Sequence, residues 1–572
     1  MKMNKIYKKI ATVLLGASVF ATGCIQESVI MNGGATIDQV KESDFGADGM
    51  VNAITAILVS NNVYGGDYHD DFGYPTIFGT FDRAIGEVFP SNAYSGGNQY
   101  YDRFQFYHYQ FTIGPNGYCG IVWYNYYQFI QAANDLIRAV GNDPELAEQR
   151  GIAKAFRALY YLDLARFYDA LPAESTEKPG YMAMLKKVEG LTVPYVDENT
   201  TEEIARNNPR LPREQMFNRI FSDLNDAEAC LANYKPSIKT TPSLAAVYGL
   251  KARAYLWLGG FEEGLYSSTY PEVLTGNAAY KKAAEYARKA IEASGCQPLT
   301  ESEYCDPING FNSFNNAWMW GMAQSAETIY SNLHAWAAHM CCEAGWGYGS
   351  GAQPGVRKAT YERMSNTDFR KKLIVGPNTT YDDYKDVTIL TEDEWTTFGL
   401  EGKGMRTYAH LKFRTNGGEK SNDATGNVVD IPMMRVEEMY LIEAEATAHF
   451  AEATAQQLIT TFMTSYRDKK YSIPLGKTSG DELVEEIIFQ KRCELWGEGV
   501  LFFDFKRLNY GIHNAYAGHN TPMGLDFETN GRCPAWNICI PLAETQQNVA
   551  LKDLNNPDPS ETLKAVSEQE GD

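Results

Sequence analysis

The sequence predicts a mainly α-helical fold whose long irregular loops carry a ligand site, and three observations lead there. Residues 151–172, GIAKAFRALYYLDLARFYDALP, set Phe156, Tyr160, Leu164, Phe167 and Leu171 at steps of four, four, three and four, which is one face of an α-helix. Tyr161, Ala165 and Tyr168 line the other side, so this helix belongs between other helices. The segment PSLAAVYGLKARAYLWLGG and the later YKKAAEYARKAIEASG then read as two helices of a pair. Between about Leu299 and Asp430 the helical period stops, and Trp318, Trp320, Trp336, Trp346 and Trp395, five of the nine tryptophans, gather there among Gly and Asn. A long aperiodic stretch on a helical scaffold is where function usually resides.

Composition narrows the function. A hydrophobic share of 44% supports a sizeable core and excludes wholesale disorder. The net charge of −21, with no basic stripe, argues against a nucleic-acid partner. Tyrosine outnumbers phenylalanine, 37 to 27, which suits helix packing and surfaces that meet a wet, partly apolar ligand. Of the ten cysteines, Cys24 stands apart, and the odd remainder cannot all pair within one chain. They read as small buried hydrophobes, although Cys533 with Cys539, or Cys296 with Cys305, could bridge.

Taken in order, residues 1–23 read as a signal peptide. Lys2, Lys5, Lys8 and Lys9 precede an apolar run from Ile10 to Phe20 that is too short to span a bilayer. It ends in Ala21-Thr22-Gly23-Cys24, which resembles a bacterial lipobox with Ala in place of its common Leu. That resemblance implies cleavage before Cys24, its acylation and a membrane anchor. Residues 24–45 read as a lipidated flexible linker, and 46–572 as one domain with a loop-rich insertion at about 299–430.

A helix is expected from about Asp48 to Ser60 and another over Ile77–Glu87, the second after the tract DDFGYP at 70–75. The loop that follows interleaves rings with amide and charged groups: Tyr94, Asn98, Gln99, Tyr100, Tyr101, Asp102 and Arg103. A pyranose offers C–H faces to aromatic planes and hydroxyls to such polar groups, so Tyr94, Asn98, Tyr100, Tyr101 and Arg103 are candidate ligand contacts. Trp318, Trp320, Trp336 and Trp346 are candidates from the insertion, and the two regions are expected to meet over one site. Further helices follow at Trp123–Val140 and Arg213–Ala232. Leu258-Gly259, then Tyr280, Ala283, Tyr286, Ala287 and Ala290, resemble a tetratricopeptide pair with an insertion between its helices. VEEMYLIEAEATAHF with ATAQQLITTFMTSYRD reads as a second pair.

Enzyme signatures are weak. GWGYGSG at 345–351 lacks the lysine and hydroxyl of a phosphate loop, and Ser350 does not fit GxSxG. His334 and His339 are five apart, on different helix faces, so they fail as a zinc pair; no metal and no cofactor is expected. Glu438, Glu445, Glu494, Glu498 and Asp504 accompany Arg435, Arg492 and Arg507, and Arg435, Glu438, Ile442 and Glu445 are expected to share one helical face. Ion pairs locking helices together explain them better than catalysis.

With these segments in order, the chain resembles the SusD/RagB family of outer-membrane nutrient-binding lipoproteins. The resemblance rests on the lipobox, DDFGYP, AKAFRALYYLDLARFYDALP at 153–172, MRVEEMYLIEAEA at 434–446, IIFQKRCELWGEGVLFFDFKRL at 487–508 and ICIPLAETQQN at 538–548. Ile487–Gln490–Lys491 stands where the family has I-x-x-E-R, and Leu501 where an arginine is common. The resemblance implies a helical body on tetratricopeptide-like pairs and non-catalytic binding of an oligosaccharide. It implies a SusC-like TonB-dependent transporter as partner, and an outer-membrane location facing the cell exterior. Alternatives are a peptide ligand within the same family, a glycoside hydrolase, or a tetratricopeptide adaptor.

Overall fold

The computed structural model describes residues 46–60, 69, 71–90, 119–266, 269–329, 331–399, 402, 404–522 and 524–569. Its long helices, in chain order, are α1 (Gly46–Ile57), α2 (Thr76–Ala84), α3 (Cys119–Val140), α4 (Ala147–Tyr168), α5 (Tyr181–Val188) and α6 (Arg213–Cys230). They continue with α7 (Leu244–Gly259), α8 (Gly276–Ser294), α9 (Val436–Ala448), α10 (Glu452–Tyr466), α11 (Gly480–Glu494) and α12 (Leu501–Arg507). Among the described residues, six short strands make three two-stranded antiparallel pairs: β1 (Phe89–Pro90) with β5 (Pro354–Gly355), β2 (Leu191–Pro194) with β3 (Arg210–Pro212), and β4 (Trp318–Ala323) with β6 (Asp430–Arg435).

The predicted helix at 151–172 is α4, shifted toward the N-terminus at both ends. It starts early because the Asp143 side chain accepts the Glu145 N–H and Pro144 opens a 3-10 turn that feeds the helix. Gly151 therefore lies inside α4, where a Cβ would come within 2.6 Å of the Cys230 Cβ; the missing side chain lets α6 approach. The helix stops at Tyr168, before Leu171-Pro172, as Asp169 turns away to pair with Arg213 and the Leu171 N–H donates to Asn537 Oδ1. Every residue from Gly151 to Tyr168 except Lys154 is buried, as expected of a helix apolar on most sides.

The helices stack in chain order: α3 on α4, α4 on α6, α6 on α7, α7 on α8, α8 on α9, and α9 on both α10 and α11. Gly259 closes α7 where a Cβ would sit 2.5 Å from the Tyr280 ring of α8, which gives the tetratricopeptide-like Leu-Gly its reason. Contact between α8 and α9 bridges the whole insertion. The insertion leaves and returns through β4 and β6, whose register runs from Trp318 opposite Arg435 to Ala323 opposite Asp430. Between those strands, the described residues form β5 and short helical segments such as Trp336–Met340, Gly347–Ala352 and Glu392–Thr397.

One cluster of buried apolar side chains runs from Val51 to Ala565, and a smaller one joins α9, α10 and α11 through Leu441, Phe462 and Ile487. All nine cysteines among the described residues are free, and all but Cys230 are buried. They pack as small hydrophobes, and neither Cys533–Cys539 nor Cys296–Cys305 is bridged.

Candidate functional site

The aromatic loop starts from a fixed point. Phe89 lies opposite Gly355 and Pro90 opposite Pro354, so the loop departs from a strand pair that joins it to the insertion. The chain re-enters at Cys119, the first residue of α3. Tyr94, Asn98, Tyr100, Tyr101 and Arg103 lie between these two points, outside the described residues, as does Cys24.

The tryptophans of the insertion are packed. Trp318 and Trp320 are fully buried on β4, Trp336 is 2% exposed and Trp346 is 8% exposed. Trp320 Nε1 donates to the Thr240 carbonyl at 3.1 Å, and its ring lies edge-on to Phe156 of α4. Trp336 sits edge-on to Phe78 and Phe413. Trp346 Nε1 donates to Asn427 Oδ1 at 2.8 Å. In this structure the four rings are buried within the core.

Sequence reasoning overlooked a ring cluster that joins His69 to residues 331–348. His69 Nδ1 is 2.5 Å from the Tyr348 hydroxyl, and the His69 ring meets His334 edge-on at 5.1 Å. His339 donates from Nε2 to the carbonyls of His69, at 3.1 Å, and of Leu333, at 3.0 Å, with Phe72 against its ring at 4.9 Å. Burial, reinforced by nearby Arg83, pulls His339 down to about 3, so it is a neutral donor at any physiological pH. Ser331 Oγ lies 2.6 Å from His334 Nδ1. The cluster ties the start of the aromatic tract to residues 331–348. The visible signal was His69 in a tract rich in aromatics, but partners some 270 residues away cannot be read from local spacing.

The carboxylates that an enzyme hypothesis would need are buried, and each is engaged. Glu494 accepts from Arg467 at 2.6 Å, Arg370 at 3.1 Å and Arg435 at 3.1 Å. Glu498 takes Arg435 and Lys412, at 2.8 and 2.6 Å. Burial alone would raise Glu494, yet Arg467 and Arg435 hold it well below the usual carboxylate range. Burial is likewise overcome at Glu445, which Arg507 and Lys491 bring down to about 2. Glu438, Ile442 and Glu445 share one face of α9 as expected, but Arg435 lies before the helix. Arg435 is the last residue of β6 and turns to α11, Glu438 pairs with Arg253 of α7 at 2.7 Å, and Glu445 pairs with Lys491 at 2.7 Å and with Arg507. Ion pairing between helices is thus the role these groups play here. Among the described residues no group of three His, Cys, Asp or Glu side chains is placed to hold a metal ion.

Comparison with known proteins identifies the architecture. Residues 87–256 match a family described as "Starch-binding associating with outer membrane", and residues 345–556 match the SusD family. No curated protein matches the chain. Among solved structures, a SusD-like carbohydrate-binding protein from Bacteroides vulgatus is 22% identical, with a TM-score of 0.63 over 88% of this chain and 96% of that one. Surface glycan-binding protein A from Bacteroides thetaiotaomicron, in complex with laminarihexaose, is 16% identical, with a TM-score of 0.60 over 90% of this chain and 99% of that one. Identities this low speak for the fold alone. The helix stack, its interrupted α8–α9 contact and two family matches that together span about two thirds of the sequence lead to one conclusion: the chain belongs to the SusD/RagB family.

Proposed function

We propose that the protein is a non-catalytic glycan-binding lipoprotein of the outer-membrane surface. It captures oligosaccharides and passes them to a SusC-like TonB-dependent transporter. Family membership carries the reading, supported by a relative that binds laminarihexaose on the same fold. The aromatic loop is the proposed contact surface, with Tyr94, Tyr100 and Tyr101 stacking on sugar faces and Asn98 and Arg103 taking hydroxyls. Anchoring follows from Cys24 as an acylated N-terminus after removal of residues 1–23, with 24–45 as tether and 46–572 as the binding domain. No helix among the described residues is long and apolar enough to cross a membrane, which fits an anchor made by lipid. Engagement of Glu445, Glu494 and Glu498 by cations supports the non-catalytic role, since a glycosidase needs a carboxylate pair open to its substrate.

Affinity electrophoresis against a glycan panel tests this reading. Retention by at least one glycan is expected, with Tyr101→Ala weakening it roughly tenfold, because one base- or sugar-type stacking contact of this size is worth about 1–2 kcal/mol. Release of shorter sugars from a retained glycan would instead indicate hydrolysis. Retention of peptides and of no glycan would move the ligand class.

A further inference from the structure

A surface cleft of about 630 Å³ lies between α11 and the segment 509–531. Its volume falls in the range of small-ligand sites. Asp481, Glu482, Glu485, Phe489 and Arg492 line it from one face of α11, and Arg357 and Thr360 close its floor.

The floor is short of negative charge. Arg357 and Arg492 converge on a single buried carboxylate, Glu87: Arg357 Nη2 pairs with Oε1, and Arg492 Nε lies 3.0 Å from Oε2. Burial and the neighbouring Arg492 push the Arg357 guanidinium below its ordinary value despite Glu87, whereas Glu87 holds Arg492 above its own. Arg357 Nε has no hydrogen-bond acceptor. Arg492 spends Nε on Glu87 and Nη2 on Thr360 Oγ1, leaves Nη1 open, and keeps 19% of its side chain exposed where it lines the cleft. An open guanidinium edge above a buried positive excess is a receptor for a carboxylate.

The walls suit a sugar ring. Tyr510 and Tyr516 are half-buried, and the Tyr516 hydroxyl accepts the Ala359 N–H at 2.9 Å, which fixes its ring. Asn530 presents an exposed amide at the mouth. Rim carboxylates oppose an anion only in part, since Lys477 pairs with Glu482 and Glu485 and Arg363 also reaches Glu485, leaving Asp481 as the rim acid without an ion pair. We infer that this cleft is a second saccharide site, selective for sugars that carry a carboxylate. Arg492 takes the uronic-acid group, Tyr516 and Tyr510 cover the ring, and Asn530 holds a hydroxyl.

Titration calorimetry with a galacturonic-acid trisaccharide and its neutral galactose counterpart tests the inference. The acidic sugar should bind at least tenfold tighter than the neutral one, and Arg492→Gln should remove roughly that margin, the scale of a hydrogen bond to a charged group. Equal binding of the two sugars, or a folded Arg492→Gln protein with unchanged affinity, would overturn it. If loss of the Glu87 partner unfolds that variant, two others decide. Glu482→Gln, at an exposed position, should strengthen acidic-sugar binding a few-fold by removing repulsion, and Tyr516→Ala should weaken it; no change in both overturns the proposal. Tyr101→Ala should leave acidic-sugar binding intact, and its loss in that variant would return the ligand to the aromatic loop and overturn the second site.

Discussion

Asp82 is the buried carboxylate that pairing does not explain. Its Oδ2 accepts the Gly499 N–H at 3.2 Å, while Oδ1 has no partner. Burial, aided by nearby Glu87, lifts it to about 8, so the folded protein keeps a proton that the unfolded chain releases near 3.8, the ordinary value of the group. The folded state binds more protons throughout that window, so this group's contribution to stability falls as pH rises from about 4 to about 8. Asp82→Asn should therefore flatten that part of the slope, and thermal melts of both proteins at pH 5 and pH 8 check it: the variant should gain relative to the parent at pH 8. Equal shifts at both pH values would contradict the protonated state. The departures from family pattern also resolve at this scale. Lys491 keeps the cation, reaching Glu445 and Asp504 at 2.7 Å each, and Gln490 accepts from Arg370 while donating to Glu486. Leu501, where an arginine is common, is fully buried at the start of α12. That these changes touch the scaffold was legible in the sequence; their partners, brought in from other helices, were not.

Helices carried the most legible part of the chain, because a period of 3.6 survives in a single sequence and a fully wrapped helix such as α4 leaves apolar residues on most of its sides. Their ends were less so: α4 begins at a cap, Asp143, that lies before the periodic run. The insertion was the least legible part. Clusters of Trp, Asn and Gly have one composition whether the indole meets a sugar or the protein, and only long-range partners decide. Trp320 is satisfied by Thr240 and Trp346 by Asn427, both about 80 residues away. The cleft beside α11 was missed for the same reason, since it draws on three separated stretches of chain. Close packing of helices gives a direct test at this scale. Gly259→Ala would drive a methyl group into the Tyr280 ring, which itself lies flat on His449 at 3.7 Å and has little room to yield. A loss of about 1–3 kcal/mol is expected by chemical denaturation, against the small gain that Gly→Ala gives in an open helix. A gain would mean that α7 and α8 can separate without cost.

For the whole molecule, the proposed lipid anchor carries a prediction of its own. Exchanging Cys24→Ala should move the protein from the membrane to the soluble fraction on cell fractionation while glycan retention by the purified domain stays unchanged; a variant that remains membrane-bound would remove the lipid anchor from the proposal. The β4–β6 clasp has a further bearing, on how the chain finds its fold. Each neighbour in the stack up to α8 is a short sequence distance away, so that part can assemble by local search. Docking α9 on α8 instead waits for a loop of well over a hundred residues to close. The entropic toll of closure grows only logarithmically, by about 0.6 kcal/mol for each doubling of length. Exposed turns between Ala323 and Asp430 can therefore lengthen at little entropic penalty, whereas Trp336, Arg370 and Phe413 of the same stretch are buried in the body and are held, as are the two strands that knot its ends together.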